Sequence, residues 1–172
     1  MEPLEAVLGV GACQVAPRAR VWLNGAMKIA LRPRESTDDE RHFVWQSDPA
    51  QVAMTVPARA RDEFDAWIAR IDADPTVILR TITADGEVVG TINTFVLGDR
   101  RYVGYRVANE RWGHGIATAA VRLMVALDPS RPLFATVLAR NVASLKVLSR
   151  NGFVHANEQM SDDGPEVVLR LD

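Results

Sequence analysis

The chain has 172 residues, enough for one ordinary domain, and its 48% hydrophobic and 24% charged residues give the balance of a globular protein. A formal net charge of -2 and a pI of about 5.9 leave no electrostatic footprint for nucleic acid or a membrane surface, so neither partner is expected. Cys13 is the single cysteine, which excludes an internal disulfide and favours a cytoplasmic location. Glu2 and Glu5 precede the apolar residues 6–16, where an export signal would carry Lys or Arg, so no signal peptide is expected.

The first 26 residues show no clear hydrophobic period and precede a second methionine, Met27. Two interpretations stay open at this point. Residues 1–26 are either an N-terminal extension, or an upstream start, ahead of a domain that spans 27–172. Alternatively, residues 20–23 add a further strand to that domain.

The first half of the domain is predicted to contain one strand followed by helices. Apolar alternation over residues 28–32 predicts a strand that Pro33 ends. Thr37-Asp38-Asp39-Glu40 has capping-box spacing, which predicts a helix to about Gln46. One apolar face with helical spacing predicts another helix that contains Phe64, Trp67, Ile68 and Ile71.

Strand patterns dominate from residue 77 onward. Residues 77–83 and 87–97 flank Ala84-Asp85-Gly86, where Asp-Gly is a strong hairpin signal, and a second tight connection leads to a strand at 101–108. The remaining predicted elements are a helix from Ile116 to about Leu127, a strand at 133–138, a helix between Asn141 as N-cap and Gly152 as C′ glycine, and a hairpin of 153–160 with 166–171 around Asp162-Asp163-Gly164-Pro165. This order predicts an α/β (α+β) fold with one central mixed sheet and helices on both faces.

A glycine-rich run, Arg111-Trp112-Gly113-His114-Gly115-Ile116-Ala117-Thr118, joins a predicted strand to a predicted helix. Glycines allow close backbone approach, and a helix start offers unpaired amides and a positive dipole end, so the run predicts a phosphate-bearing ligand. A dinucleotide site would need a third glycine where Thr118 stands, and a P-loop would need Gly-Lys-Ser or Gly-Lys-Thr. A turn that simply requires two glycines is the structural alternative.

The segment Trp112-Gly113-His114-Gly115-Ile116-Ala117 resembles the phosphate loop Gln/Arg-x-x-Gly-x-Gly/Ala of the GNAT superfamily of N-acetyltransferases, with Trp at the first position. A second motif, Asn141-Val142-Ala143-Ser144 followed by Asn151-Gly152-Phe153, occurs in the expected order. Trp followed by Gly-x-Gly-Ile-Ala-Thr is similar to the RimJ/RimL-like branch of ribosomal-protein N-terminal acetyltransferases. The resemblance covers residues 27–171 and implies a single GNAT-like domain with a mostly antiparallel sheet and acetyl-CoA as cosubstrate.

The resemblance also assigns coenzyme-binding roles. Loop amides would hold the pyrophosphate, and the strand that ends at Val107 would splay from the strand at 133–138 so that the pantetheine arm pairs with its backbone. An amide of that strand could polarise the thioester carbonyl. The candidate residues are Val107, Trp112, Gly113, His114, Gly115, Ile116, Ala117, Thr118, Asn141 and Ser144. The ordinary readings are an N-cap for Asn141, a surface residue for His114 and a solvent-facing serine for Ser144.

Two catalytic features of many family members are missing. Leu148 stands at the position of the usual tyrosine general acid, and residues 101–108 contain no glutamate base. Ser144 and Tyr105 are the candidates to assist the departing thiolate, and the base is unassigned, since Glu110 fits a simple role in the strand-to-loop connection. An α-amine with a pKa near 7.8 is roughly a tenth neutral at pH 7, but a lysine side chain only about one part in 2,500. We therefore expect a weakly basic amine acceptor that releases its proton to water.

The acceptor is expected to be a peptide N-terminus, an amino acid or a small amine, bound near residues 47–61. The alternatives are a degenerate coenzyme A-binding regulatory module without turnover and an enzyme that transfers another acyl group. His42 and His155 lack ligand spacing, so no metal is predicted. A homodimer is compatible with the sequence.

Overall fold

The computed structural model describes residues 19–23, 27–55 and 57–172, which form one eight-stranded sheet flanked by α-helices. The strands are β1 (Ala19–Leu23), β2 (Met27–Pro33), β3 (Ile78–Ala84), β4 (Glu87–Leu97), β5 (Arg100–Val107), β6 (Leu133–Leu138), β7 (Val154–Ser161) and β8 (Gly164–Leu171). The α-helices are α1 (Asp39–Gln46), α2 (Pro49–Val52), α3 (Arg61–Ala73), α4 (Ile116–Leu127) and α5 (Val142–Ser149), and 3₁₀ turns cover Ser36–Asp38 and Asn109–Arg111. Of the extension predicted for residues 1–26, residues 1–18 and 24–26 lie outside the described part.

The strand order in space is β1-β2-β3-β4-β5-β6-β8-β7. Every neighbouring pair is antiparallel except β5 and β6, which are parallel, so the predicted mixed and mostly antiparallel sheet is confirmed. Asp85 and Gly86 both have positive φ, +50° and +89°, as a two-residue hairpin turn between β3 and β4 requires. Consecutive hairpins therefore produce the antiparallel half of the sheet.

The strand alternative for residues 20–23 is the one that the structure shows. β1 pairs antiparallel with β2, with Ala19 opposite Leu31 and Leu23 opposite Met27. Helix α4 packs against both strands, and Leu23 is partly buried against the core. β1 is therefore an edge strand of the same sheet rather than a segment outside it.

The two faces of the sheet differ in chemistry. Ile82 and Ile92 are fully buried in the apolar core that also includes the inner side of α4, and α5 packs on α4. Thr81 precedes Ile82 and therefore points to the other face, where its hydroxyl donates to Asp38 at 2.7 Å. Helices thus cover both faces, with α4 and α5 on the apolar one and the chain of α1 to α3 on the other.

The predicted capping box at Thr37-Asp38-Asp39-Glu40 is wrong. Asp38 is buried, and its carboxylate accepts two bonds of 2.7 Å from Arg32 as well as the Glu35 amide at 3.0 Å. Burial opposes ionisation, but these bonds hold the pKa of Asp38 at about 2. A 3₁₀ turn therefore begins at Ser36, two residues before the helix start that Thr37 as N-cap would give, and α1 begins at Asp39, because a buried ion pair outweighs a surface cap.

The C-terminal elements follow the prediction except at the last turn. Asn141 caps α5, and Gly152, with φ of +87°, ends it. The Gly152 amide donates a hydrogen bond to the Ser149 carbonyl, and the Phe153 amide donates one to the Leu148 carbonyl. The final hairpin turns on Asp162 and Asp163 alone, so β8 begins two residues earlier than predicted, and β7 keeps its predicted length but is shifted by one residue. In the described ranges, none of the helices has both the length and the apolar character that a bilayer crossing needs.

Candidate active site

The loop between β5 and α4 has a backbone geometry that glycine alone adopts without strain. Gly113 and Gly115 have φ of +80° and +78°, in the left-handed region. Apart from chain neighbours, a Cβ at Gly113 would meet no atom within 4 Å, so the space above the loop is open. The first bond inside α4 runs from the Ala119 amide to the Gly115 carbonyl, 3.1 Å. The three amides before Ala119 therefore lack intrahelical partners and suit an anion at the helix start.

Trp112 fastens this loop to β5. Its indole Nε1 donates to the Val107 carbonyl at 2.8 Å, while 43% of the residue stays exposed. Arg111 forms an ion pair with Glu87 of β4. His114 is exposed, with Nδ1 3.3 Å from the Arg111 carbonyl oxygen. The indole thus has a backbone contact of its own, independent of any ligand.

β5 and β6 are paired only at their first residues. Arg101 pairs with Leu133 and Tyr102 with Phe134, and the parallel pairing then ends. β6 instead continues alongside β8 over its whole length. The predicted splay between the two strands is therefore present, and it opens toward their carboxyl ends, beside the glycine loop.

A buried carboxylate clamps the narrow end of this gap. Asp128 directly follows α4, is 1% exposed, accepts a bond of 2.6 Å from Thr94 and forms an ion pair with Arg101. Arg101 also donates to Thr94 at 2.9 Å. Burial favours the neutral acid, but the hydrogen bonds outweigh it and lower the pKa of Asp128. The clamp joins β4, β5 and the end of α4, which fixes where the strands diverge.

The hydrogen bonding of β5 decides which backbone groups face the gap. The Ala108 amide donates to the Val89 carbonyl of β4 at 2.9 Å. Because alternate residues of an antiparallel strand turn both polar groups to one side, those of Tyr105 and Val107 face away from β4. The Val107 carbonyl is occupied, since it accepts 2.6 Å from Gln51 Nε2 in addition to the indole. Its amide and the Tyr105 backbone groups lie on the edge with which an extended ligand arm would pair.

Tyr105 and Ser144, the two candidates for assisting the thiolate, are in direct contact. Their hydroxyl oxygens are 2.6 Å apart, and the Tyr105 hydroxyl is also 3.4 Å from the Ser144 carbonyl. Burial raises the pKa of Tyr105 to about 12, against the opposing effect of the Ser144 hydrogen bond. Tyr105 is therefore a neutral phenol at physiological pH and able to donate.

Asn141 supports this pair from the start of α5. Its Oδ1 accepts from the Ser144 amide at 3.0 Å, as an N-cap does, and its Nδ2 donates to the Met54 carbonyl at 2.9 Å. The neighbouring Arg140 donates to the Ala53 carbonyl at 2.9 Å. The segment after α2 is thereby tied to the β6–α5 connection, on the wide side of the gap.

The opposite side of β5 carries residues that the sequence did not single out for the site. Arg106 is half-buried there, and His42 is buried with an Nε2 that has no partner within the described ranges. Burial lowers the pKa of His42 to about 4, so its imidazole is neutral at physiological pH. Glu110, by contrast, is exposed on its 3₁₀ turn. Within the same ranges no group of three or more His, Cys, Asp or Glu side chains could hold a metal ion.

The family model for the acetyltransferase (GNAT) domain matches residues 28–154, well over half of the chain. The protein belongs to the GNAT acetyltransferase family. No curated protein matches the chain by sequence. Among solved structures, the aminoglycoside acetyltransferase AAC(6')-Ib in complex with coenzyme A superposes with a TM-score of 0.72 at 20% identity, over 83% of this chain and 94% of that one.

Two other GNAT-like structures have the same fold. RimJ of Mycobacterium smegmatis, in complex with CoA-disulfide, has a TM-score of 0.70 at 20% identity over 84% of this chain and 81% of that one. The microcin C7 self-immunity acetyltransferase MccE, in complex with acetyl-CoA and AMP, has a TM-score of 0.68 at 12% identity over 83% and 91%. The expected membership of the superfamily is thus confirmed, and the RimJ/RimL-like branch stays a prediction.

Hydrogen bonds link several of the predicted residues: Trp112 of the loop donates to the Val107 carbonyl, Tyr105 contacts Ser144, and Asn141 accepts from the Ser144 amide. Leu148, at the usual tyrosine position, is fully buried in the core. Gln51 was missed, although Asp48-Pro49 is a helix-start signal and Asp48 does accept from the Ala50 amide at 2.8 Å.

Proposed function

We propose that this acetyltransferase moves an acetyl group from acetyl-CoA directly to a primary amine while both substrates are bound. The supporting observation is the open glycine loop beside diverging strands, with the Tyr105–Ser144 pair between them. A pyrophosphate fits the helix start, and an extended arm that reaches from it along β5 arrives at the phenol. This succession of contacts matches the order of groups in acetyl-CoA.

Several groups of the chain would hold the donor. Gly113 and Gly115 leave room above the loop, and the amides of Ile116 and Ala117 point outward at the helix start. His114 and Thr118 border the same space. Asn141 would bind the arm only after its amide gives up the Met54 carbonyl, because both ends of its side chain are occupied. Donor binding and movement of residues 53–54 are therefore coupled.

The chemical step begins when the neutral amine attacks the thioester carbonyl carbon. A C–N bond forms, charge collects on the carbonyl oxygen, and an amide on the gap edge of β5, such as that of Val107, stabilises it. The C–S bond then breaks and its electron pair leaves on sulfur. The amine nitrogen loses its proton to water.

Tyr105 assists the departure as a hydrogen-bond donor. An alkyl thiol has a pKa near 8.5, whereas that of Tyr105 is raised to about 12, so a thiolate cannot retain the phenol proton. The phenol therefore stabilises the developing charge, and solvent protonates the released thiolate. Ser144 fixes the phenol through the 2.6 Å contact. This division of roles needs no glutamate on β5 when the acceptor amine is weakly basic.

The decisive experiment measures thiol release from acetyl-CoA with and without a panel of primary amines, together with mass spectrometry of the acetylated product. We expect release that depends on the amine. Matched peptides should show faster transfer to an α-amine than to a lysine side chain, because far more of the α-amine is neutral. Tight coenzyme binding without turnover across the panel would instead identify a regulatory module and overturn the proposal.

A further inference from the structure

Arg106 lies on the face of β5 opposite Tyr105 and forms no ion pair with any residue that the structure describes. Arg106 follows Tyr105 and, since side chains alternate along a strand, points toward the chain of α1 to α3. Its guanidinium lies 3.5 Å from Thr55 Oγ1, which is long for a hydrogen bond. No carboxylate of the described residues lies within ion-pair distance of Arg106, whose side chain is nevertheless half-buried.

Stability does not explain an arginine in this position. Removing a charge from water without a partner costs free energy, and a second cation nearby adds repulsion. Burial, together with the neighbouring Arg59, lowers the pKa of Arg106 to about 10, so the group still carries its charge at physiological pH. Unpaired buried charges of this kind are typical of ligand sites.

Several other charges of this face are paired with one another. Asp38 binds Arg32, while Arg34 binds Asp39 at 2.7 Å and Asp72 at 2.5 Å. His42, although close enough to Arg106 to sense its charge, stays neutral because its pKa is about 4. The inner part of this face therefore carries a net positive charge at Arg106.

Arg59 extends the positive charge outward. Its guanidinium lies 5.0 Å from the centre of the Trp67 ring, and it borders a cavity of about 520 Å³ at the start of α3. Asp62 and Glu63 border the same cavity, and Glu63 accepts from the Ala60 amide at 3.0 Å. Carboxylates thus partly balance Arg59 on the outside, whereas Arg106 on the inside has none.

The floor beside Arg106 is small and polar. Gly104, two residues earlier on the same face, has no side chain, and a Cβ there would lie 3.1 Å from Asn93 Oδ1. Thr91 is paired opposite Arg106, and Asn93 opposite Gly104, so both point to this face. Asn93 Oδ1 and the Phe95 ring, which lies 3.8 Å from the same Cβ position, occupy the space over Gly104, so the surface beside Arg106 offers hydrogen-bonding groups next to an aromatic ring.

We propose that Arg106 binds an oxyanion, a carboxylate or a phosphate, on the acceptor. This inference rests on the proposed acetyl transfer. In that proposal acetyl-CoA binds on the face of α4 and α5, so the amine acceptor approaches from the opposite face of the gap. Arg106 directly precedes Val107, so an anion on its guanidinium would hold the amine close to the thioester. The planar fork of arginine suits both oxyanions.

The experiment uses the purified full chain and C-terminally amidated tripeptides that differ only in their first residue: aspartate, phosphoserine, asparagine or arginine. We expect kcat/KM for an anionic peptide to exceed that for the asparagine peptide at least tenfold, as charged hydrogen bonds commonly provide. The preferred anion, carboxylate or phosphate, is read from the same series. R106Q should bring the ratio close to one, and R106K should keep part of it.

Arg100→Gln, the same substitution at an exposed arginine of β5, is the matched control and should keep the wild-type ratio. The Tm of R106Q should not fall, since no ion pair is lost. Equal turnover of all peptides by the wild type, or an unchanged ratio in R106Q, overturns the inference and leaves acetyl transfer intact.

If no peptide is acetylated, calorimetric titration of the aspartate peptide in the presence of coenzyme A decides the inference alone, whereas the proposed function fails only when no amine of the whole panel is acetylated. Binding at least tenfold weaker to R106Q than to the wild type supports it, and equal binding overturns it.

Discussion

The two sides of β5 differ in the groups that they offer to a ligand. The coenzyme side, formed by residues 111–118, the gap edge of β5 and the start of α5, consists largely of backbone groups held by glycines, a helix start and a cap. The proposed acceptor side, called the acceptor side below and formed by Arg106, His42 and residues 47–55 and 57–61, consists of side chains from three separate parts of the chain. The first suits a ligand shared by a whole family, and the second suits a ligand particular to one member.

Charge separates the two sides as well. On the coenzyme side, as we propose it, amide dipoles would meet a phosphate, so this side needs no buried charge. The acceptor side holds a charged Arg106 and a neutral His42 in the same layer, and burial lowers the pKa of both groups. We therefore expect substitutions on the coenzyme side to change donor affinity, and those on the acceptor side to change selectivity and pH dependence.

The largest expected effect is at Gly115. A bulky residue such as leucine there should weaken coenzyme A binding at least a hundredfold, because it fills the space in which the pyrophosphate approaches the amides. A Cβ at Gly115 meets only Leu23, at 3.8 Å, so the fold should survive with a modest loss of Tm from the left-handed φ of +78°. Calorimetric titration with coenzyme A measures the affinity.

Gly98→Leu is the matched control for Gly115→Leu. Gly98 also has a positive φ, +63°, and open space around its Cβ, but it lies in the β4–β5 hairpin at the far end of β5. This variant should lose a similar amount of Tm and keep wild-type coenzyme affinity. Unchanged affinity in Gly115→Leu would count directly against the phosphate-loop assignment.

The second effect concerns the phenol. Tyr105→Phe should lower kcat by about a hundredfold, the usual loss when one donor to a developing charge is removed, with little change in acetyl-CoA affinity. Tyr102→Phe is the control, since Tyr102 lies on the same strand but packs between Phe95 and Phe134. Single-turnover kinetics checks the step, and equal rates for both variants would exclude the assigned role.

The same comparison explains what the sequence could and could not predict. Hairpin turns such as Asp85-Gly86, the glycine loop and the Asn141 cap are local patterns with a fixed backbone consequence, so they were predicted at the right places. The contact of Tyr105 with Ser144 joins residues 39 positions apart and depends on the splay of β5 from β6, which no local pattern specifies.

Where a local sequence pattern and a tertiary contact favoured different conformations, the tertiary contact determined the structure. Asp38 belonged to an apparent surface cap but is drawn inside by Arg32 and Thr81. Gln51 is placed by its tertiary contact with the Val107 carbonyl, and the surroundings of Arg106 are set by distant segments such as the one that contains Thr55. The side chains of the acceptor side were accordingly the part of the site that the sequence did not predict.

The third effect tests the neutral imidazole. His42 has a pKa of about 4 in the fold, against about 6.5 when unfolded, so the unfolded chain binds more protons between these values. Stability is therefore complete above pH 6.5 and is lost as pH falls toward 4, by about 2 kcal/mol between pH 7 and pH 5. Denaturant titration should show this decline in the wild type but not in His42→Phe.

Asp38 provides the internal reference for this measurement. Its pKa is lowered to about 2, so its contribution is present above about 3.8 and is lost only as pH falls toward 2. His42→Phe should therefore still unfold in the lower window. A wild-type decline between pH 7 and pH 5 that persists unchanged in His42→Phe would show that another group titrates there.

The smallest expected effect is at Trp112, the departure from the family's phosphate loop. Trp112→Phe keeps an aromatic ring but removes the Nε1 donor to the Val107 carbonyl, which Gln51 continues to satisfy. One donor of two is lost at an accessible site, so the free energy of unfolding should fall by about 1 kcal/mol or less. Coenzyme affinity should fall by no more than about fivefold, because ~1 kcal/mol corresponds to that factor. Trp67→Phe, on α3 beside Arg59, should leave coenzyme affinity unchanged in the same titration. A loss as large as that of Gly115→Leu would mean that the indole itself contacts the donor, and the coenzyme side would then depend on a side chain as well as on backbone groups.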